Sequence, residues 1–504
     1  MLEKVSKISE SKTGTLEDYF EVFRRNIIGI EQTFESPQCG TLPITYADWT
    51  ASGRLYGPLE KQMQTMVYPF VANTHTETST TGMAMTRAYH EALHRIKGHV
   101  NARTDDIIIS SNSGMTGVLN KFQRILGLKV HEKFKALYKP ATNERPVVFI
   151  THMEHHSNHT TWLETICDVE IIAPDNRGLV NLRSLKLLLE KYAARKLKIA
   201  SVTACSNVTG ISTPYYAIAK LMHDAGGYCF VDFACSAPYV NIDMHPKGEN
   251  QYLDAIFFSP HKFLGGPGSS GILIFNKELY DNKVPDNPGG GTVDWTNPWG
   301  GHKYLDDIEA REDGGTPGFL QTIRVALSIK LKEKMGVEKM RAREEEQLGI
   351  LWSKLIGIPN LHILAENVRE RLAIISFYID DLHYNMGVKI LNDRFGIQVR
   401  GGCSCAGTYG HFLLHVDIDH SRKITDLINQ GDYSQKPGWI RLSVHPTMTN
   451  CEVEYIADSI VALAENHKIW SADYELDRIH NRVRNKEKCH EDYVNQLVDE
   501  WLEL

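Results

Sequence analysis

Two stretches, GYCFVDFACS (227–236) and AIFFSPHKFLGGPGSSGILIFN (255–276), decide the fold. Each opens on an apolar run without polar alternation, the pattern of a strand covered on both faces. The first run ends in Asp232, and the second runs into Lys262 and a glycine-rich turn. In open α/β sheets, strand C-termini line the ligand crevice, so an acid on one strand end and a lysine on another can face a single ligand.

Working outward, further strands are expected at IIIS (107–110), VVFIT (147–151), VEIIA (169–173) and IASVTA (199–204), with GILIFN (271–276) closing the series. Helical segments lie between many of them, as at 182–196 and 216–225. The alternation predicts an α/β domain with a mostly parallel seven-stranded sheet flanked by helices. The last two strands follow closely enough to include an antiparallel member. A Gly/Pro-rich stretch (284–301) breaks the pattern, and a long helical segment is expected over 318–356. Strands at 374–380 and 438–444 and a helix at 451–466 predict a smaller α+β domain. The expected division is an N-terminal extension (1–40), a large domain (41–345) whose start can pack on the small one, a small C-terminal α+β domain (346–470), and a charged helical extension (471–504).

The net charge of −7 offers no basic surplus for nucleic acid. No apolar run is long enough to cross a bilayer, and the start, MLEKVSKISESKTG, lacks a secretory apolar core. Nine scattered cysteines, an odd number, do not form a disulfide framework. A reducing compartment, the cytoplasm by default, is expected.

Several motifs carry chemistry, each with a plainer alternative. Lys262 is a surface lysine unless Asp232 joins it, and Asp232 alone would be a turn acid. Together they suit pyridoxal 5′-phosphate: a lysine forms an imine with its aldehyde, and a carboxylate keeps the pyridinium protonated. SSNSGMTGVLN (110–120) runs from a strand through a small-residue turn into a helix, so Gly114, Met115 and Thr116 can cup a phosphate, or form an ordinary cap. In THMEHHSNHTTW (151–162), an imidazole can lie over the cofactor ring; alternatively His155, His156 and His159 ligate a metal or lie idle in a loop. Asn207 in VTACSNVTG can reach the ring oxygen or serve a turn. VRGGCSCAGTYGH (399–411) holds Cys403 and Cys405 near Arg400 and His411, a setting for a nucleophilic thiol, an inert thiol or a metal-binding pair. Arg441 can fork a substrate carboxylate, although a structural ion pair is the commoner role of a strand arginine.

In order, the phosphate turn, M-E-H-H-S-N, S-N-V-x-G, V-D-x-A, S-x-H-K, G-T-P, R-x-G-x-x-C-A and the late strand arginine resemble the class V aminotransferase family of fold type I. The nearest branch holds the cysteine desulfurases and selenocysteine lyases, and the match spans about 45–466. The resemblance implies that Lys262 is the Schiff-base lysine and proton shuttle, Asp232 the pyridinium partner, His155 the ring-stacking imidazole and Asn207 a contact of the ring hydroxyl. It puts Ser259 and His261 with Thr116 and Met115 at the phosphate, and Thr316 at the phosphate of a neighbouring subunit in a homodimer. Arg441 would take the substrate carboxylate, with Arg400, Asn73 and His75 lining the substrate pocket. Cys405 would carry the persulfide. L-cysteine is then the implied substrate and a sulfur-acceptor protein the implied partner, with no metal. The alternatives are another pyridoxal-phosphate enzyme (an aminotransferase or a C–S or β-elimination lyase) and a non-catalytic regulator or sulfur-carrier scaffold. Two departures stand out: Cys235 replaces the branch's usual glutamine at the cofactor, and Cys403 replaces a common histidine.

Overall fold

A computed structural model describes residues 14–138, 141, 143–486 and 490–503. The central sheet contains seven strands: β1 (Ile107–Ser111), β2 (Val147–Thr151), β3 (Asp168–Ile172), β4 (Lys198–Thr203), β5 (Tyr228–Asp232), β6 (Ala255–Phe258) and β7 (Gly271–Phe275). Their spatial order is β1-β7-β6-β5-β4-β2-β3. All neighbours run parallel except β7, which is antiparallel to both β1 and β6.

Alternate residues feed two separate cores. Val147 and Phe149 of β2 face a cluster that includes Val202, Val231 and Phe258. Val148 and Ile150 face another with Phe230, Phe257 and the helix Gly114–Ile125. The strands therefore read as continuous apolar runs because both faces are covered.

A second sheet is wholly antiparallel, in the order β8-β9-β11-β10, from β8 (Leu361–Ile363), β9 (Ile374–Ile379), β10 (Arg400–Gly402) and β11 (Trp439–Ser443). The helices Val337–Leu355 and Asn450–Trp470 pack against each other beside it. The N-terminal segment joins this unit. Thr45–Tyr46 pairs in parallel with Ile397–Gln398, and Asp48 bridges to Ser443. Trp49 stacks on His445 with ring centroids 4.1 Å apart.

The structure changes several expectations in detail. Residues 1–13 of the expected N-terminal extension lie outside the described residues, but Leu16–Arg24 forms a helix capped by Thr15, and its Phe20 is buried in the core shared with the small sheet. The long helix expected over 318–356 is two helices, Phe319–Met335 and Val337–Leu355, because Gly336 adopts φ +77° between them. Among the described residues of the tail, the α-helix is His490–Leu502. Before it, YELD (474–477) and RVRN (482–485) pair as a hairpin, with Tyr474 buried and Leu476 and Val483 packed on the core. That period-two alternation suits a strand with one covered face. Among the described residues no helix is long and apolar enough to cross a membrane.

His445 sets a pH limit on this arrangement. Burial pushes its pKa down to about 3, and the Thr447 N–H donates to its Nδ1. In the unfolded chain it titrates near ~6.5. Below that pH the unfolded chain takes up a proton that the fold refuses, so this contribution to stability is lost as pH falls from ~6.5 towards 3. The melting temperature is therefore expected to fall on acidification below neutrality, with a shallower slope for His445→Gln, as read by thermal denaturation across pH.

Candidate active site

The strand directions bring the acid and the lysine together. β5 and β6 are parallel neighbours with Asp232 opposite Phe257. The chain leaves β6 through a tight turn, Pro260–Lys262, that carries the lysine. Asp232 is buried, and its Oδ1 accepts the Ala234 N–H at 2.8 Å. Burial pushes its pKa up to about 6, opposed by that hydrogen bond and by the charge of Lys262. Lys262 shifts the other way. Burial lowers its pKa, the attraction of Cys235 and Asp232 opposes this, and the charges of Arg441 and Arg400 add to the lowering. An amine so placed spends more of its time as the neutral nucleophile.

Beside this pair the helix Gly114–Ile125 starts on a turn of small residues. Gly114 has φ +62°, and a Cβ on Gly271 would stand 2.2 Å from the Gly114 carbonyl carbon. Only two bare backbones fit that approach. The Met115 N–H donates to Ser259 Oγ at 3.1 Å, and Thr116 Oγ1 lies 2.6 Å from Ser157 Oγ. Ser259 thus keeps its own hydroxyl proton for a ligand. His261 is half-buried, its pKa brought down to about 4 by burial and by Lys262.

His155 follows β2 and is held by its neighbour: the Ser157 N–H donates to its Nδ1 at 3.1 Å. Burial, then the charge of Lys262, pushes its pKa down to about 3, so the ring is neutral and carries its proton on Nε2. Glu154, not singled out from the sequence, fixes this loop. Its buried carboxylate accepts from the Thr151 hydroxyl (2.6 Å), the Asn158 amide (2.7 Å) and the Thr203 N–H (2.9 Å). Burial pushes its pKa up to about 8 against those donors.

Asn207, after β4, donates through Nδ2 to the Ser404 carbonyl at 2.8 Å. Its Oδ1 is buried without a partner, and an orphaned acceptor of this kind calls for a donor from a ligand or water. The unpartnered amide oxygen, the bare-backbone cradle with a free serine proton, and the acid–amine pair fit pyridoxal phosphate.

The cysteine loop is fastened over this group. Ser404 and Cys405 have φ of +50° and +56°, and Gly402 of +108°. Two such non-glycine residues cost of order ~1 kcal/mol each. The contacts that hold them come from the His155 segment: the His156 N–H donates to the Cys405 carbonyl (2.7 Å), the Gly407 N–H to His156 Nε2 (3.0 Å), and Thr408 Oγ1 meets His159 Nδ1 at 3.1 Å. His156 and His159 are thus a clasp, and among the described residues no cluster of three or more ligands suits a metal. Cys405 is exposed and Cys403 half-buried. His411, expected beside the thiol, instead contacts the Gly407 carbonyl and Ser421 Oγ.

Arg441 is buried on β11, and its partner is one that sequence spacing does not reveal. Its guanidinium donates to Asp48 Oδ1 at 2.7 Å and to the Asn207 carbonyl at 3.2 Å. Arg400, opposite it across the sheet, donates to Asp48 Oδ2 at 3.0 Å. Cys235, buried near Lys262, donates to the Ser206 carbonyl (3.7 Å), as does Cys205. Burial pushes the Cys205 thiol up, and its hydrogen bond lowers that of Cys235.

Asn73 and Thr316 are exposed, and His75, exposed at φ +63°, lines a cleft of about 570 Å³ with Tyr89 and Asp313 that includes none of the Lys262 group.

The clasp gives a direct expectation. His156→Ala removes the acceptor of the Gly407 N–H, and one lost hydrogen bond of ~1 kcal/mol is about a fivefold change in local opening. Amide exchange across residues 402–408, followed by mass spectrometry, should quicken by about that factor. Acid should act in the same direction in the native chain, because a protonated His156 cannot accept.

The aminotransferase class-V family profile matches residues 45–456. A probable cysteine desulfurase of Halalkalibacterium halodurans is 25% identical over 368 residues, covering 72% of this chain and 84% of that protein. One from Staphylococcus epidermidis is 27% identical over 369 residues, covering 72% and 83%. Among solved structures, the apo cysteine desulfurase of Thermococcus onnurineus NA1 aligns with a TM-score of 0.70 at 21% identity, over 88% of this chain and 98% of that one. An Escherichia coli cysteine desulfurase in its S-sulfonic acid form aligns at 0.69 and 18%, over 90% and 99%.

Proposed function

This chain belongs to the class-V aminotransferase family, and we propose that it is a pyridoxal-phosphate-dependent cysteine desulfurase, converting L-cysteine to L-alanine with sulfur passing to Cys405. The observation that supports the reading is the joint at Asn207, whose amide donates to the loop of an exposed cysteine while its own Oδ1 is left unpartnered. Names of relatives at about a quarter identity point the same way.

In this reading Lys262 would hold the cofactor covalently, Asp232 would pair with its ring nitrogen, and the turn at Gly114–Thr116 with Ser259 and His261 would take its phosphate. When bound, the cofactor supplies an electron sink for charge developing at the substrate Cα. Arg441 receives the substrate carboxylate. The Lys262 amine would remove the Cα proton and return a proton to the product. His155, neutral and with its proton on Nε2, covers the reacting group without adding charge. Cys405 Sγ attacks the substrate sulfur as the Cβ–S bond breaks. The sulfur stays on Cys405 as a persulfide, and the carbon skeleton leaves as alanine. An external thiol or an acceptor protein then removes the sulfur. Thr316 and the exposed segment with Asn73 and His75 are left to face a second subunit in a homodimer, and the cytoplasm is the compartment that keeps these thiols reduced.

Purified protein given L-cysteine and dithiothreitol should release sulfide and alanine in equal amounts. The holoenzyme should absorb near roughly 420 nm, and Lys262→Ala should lose the band together with about 10²–10⁴-fold in rate. Cys405→Ala should bind cysteine and keep the band but lose sulfide release. Full-rate turnover by Cys405→Ala would sink the scheme. Pyruvate in place of alanine would make the protein a lyase, a keto acid would make it an aminotransferase, and a coloured protein without turnover would be a binding scaffold.

A further inference from the structure

We propose that Asp48 is a specificity-determining residue, which removes one of two adjacent positive charges from the carboxylate site so that the site accepts amino acids with a single carboxylate and rejects acidic side chains. The inference deepens the functional reading above and rests on Arg441 as the carboxylate fork.

Arg400 and Arg441 are direct cross-strand partners on β10 and β11. Like charges placed so are unfavourable unless compensated. Asp48 compensates them, with one carboxylate oxygen on each guanidinium. The backbone that presents it is fastened to the strand that carries Arg441. The Ser443 N–H donates to the Ala47 carbonyl at 2.8 Å, and the Thr50 N–H donates to Ser443 Oγ at 2.9 Å. The Tyr46 hydroxyl closes over the Asp48 carbonyl at 3.2 Å. Asp48 is therefore a fixed member of the site.

The charge count follows. Two arginines and one aspartate leave one net positive charge. Arg441 is buried, and its Nε has no partner. The Arg400 side chain is half exposed, and its Nε is already taken by Asp48. One substrate carboxylate on Arg441 brings the group to neutrality. A second carboxylate would meet an arginine already neutralised, with the Asp48 charge beside it. At such distances a repulsion of one unit charge is worth at least about tenfold in binding.

The test compares L-alanine with L-aspartate, which share the α-amino acid group and differ by one carboxylate. Calorimetric titration of the holoenzyme gives both dissociation constants without turnover of cysteine. In wild type, alanine should bind more tightly than aspartate. Asp48→Asn should shift the ratio of the two constants about tenfold towards aspartate, and Asp48→Asn combined with Arg400→Gln should restore the wild-type preference. Arg400→Gln alone, which leaves the buried Asp48–Arg441 pair in place, should shift the ratio the other way, and it serves the test if Asp48→Asn does not fold. An unchanged ratio in these variants, or an equal loss for both ligands, would overturn the inference, leaving Asp48 as a brace for Arg441. A wild-type holoenzyme that binds neither amino acid would overturn the functional reading itself.

Discussion

Strands covered on both faces have only their ends available for polar chemistry, and the rest of this molecule follows from that constraint. β2, β4, β5 and β6 run in the same direction, so Thr151, Thr203, Asp232 and Phe258 all end at one edge of the sheet. Glu154 and His155, Asn207, Asp232 and Lys262 leave from that edge within a few residues of it. The antiparallel β7 starts there too, opposite the end of β1. That reversal is what presses Gly271 against Gly114 and keeps this turn beside Ser259.

Much of this edge could be read from the sequence because each element announces itself locally. An apolar run followed by Asp, by Lys or by a small-residue turn is visible in a dozen residues. Asp48 was not visible in that way. It lies 393 residues from Arg441, and neither spacing nor periodicity links the two; only the register of the N-terminal segment on β11 does. The roles of His156 and His159 were equally hidden, since a His-rich loop has the same composition whether it ligates metal or accepts hydrogen bonds from a distant loop. The hairpin at 474–485 was masked by its charge. Only Tyr474, Leu476 and Val483 of the two strands face the core, too few apolar positions to stand out beside the charged segment that follows.

The two arginines and the cysteine loop also share their supports. Asn207 donates to Ser404, while its own carbonyl accepts from Arg441. Trp439, two residues before Arg441, donates its indole proton to Ser404 Oγ. Each hydrogen bond contributes only about 1 kcal/mol, but together they outweigh the cost of left-handed backbone at Ser404 and Cys405. The loop that carries the exposed Cys405 is thereby tied to the strand that carries Arg441.

The pairing of Asp48 with Arg441 also has a consequence for biosynthesis. Asp48 leaves the ribosome early and Arg441 late. At translation rates of roughly 5–20 residues per second, the interval between them is roughly 20–80 s. Through that time the central sheet can form, but Asp48 lacks its partner on β11. A chain cut short anywhere before β11 keeps Lys262 and the Gly114 turn, yet lacks Arg441 and its pairing with Asp48. Only a chain made through β11 can join the N-terminal segment to Arg441, so a product that ends with the central sheet holds Asp48 without that partner.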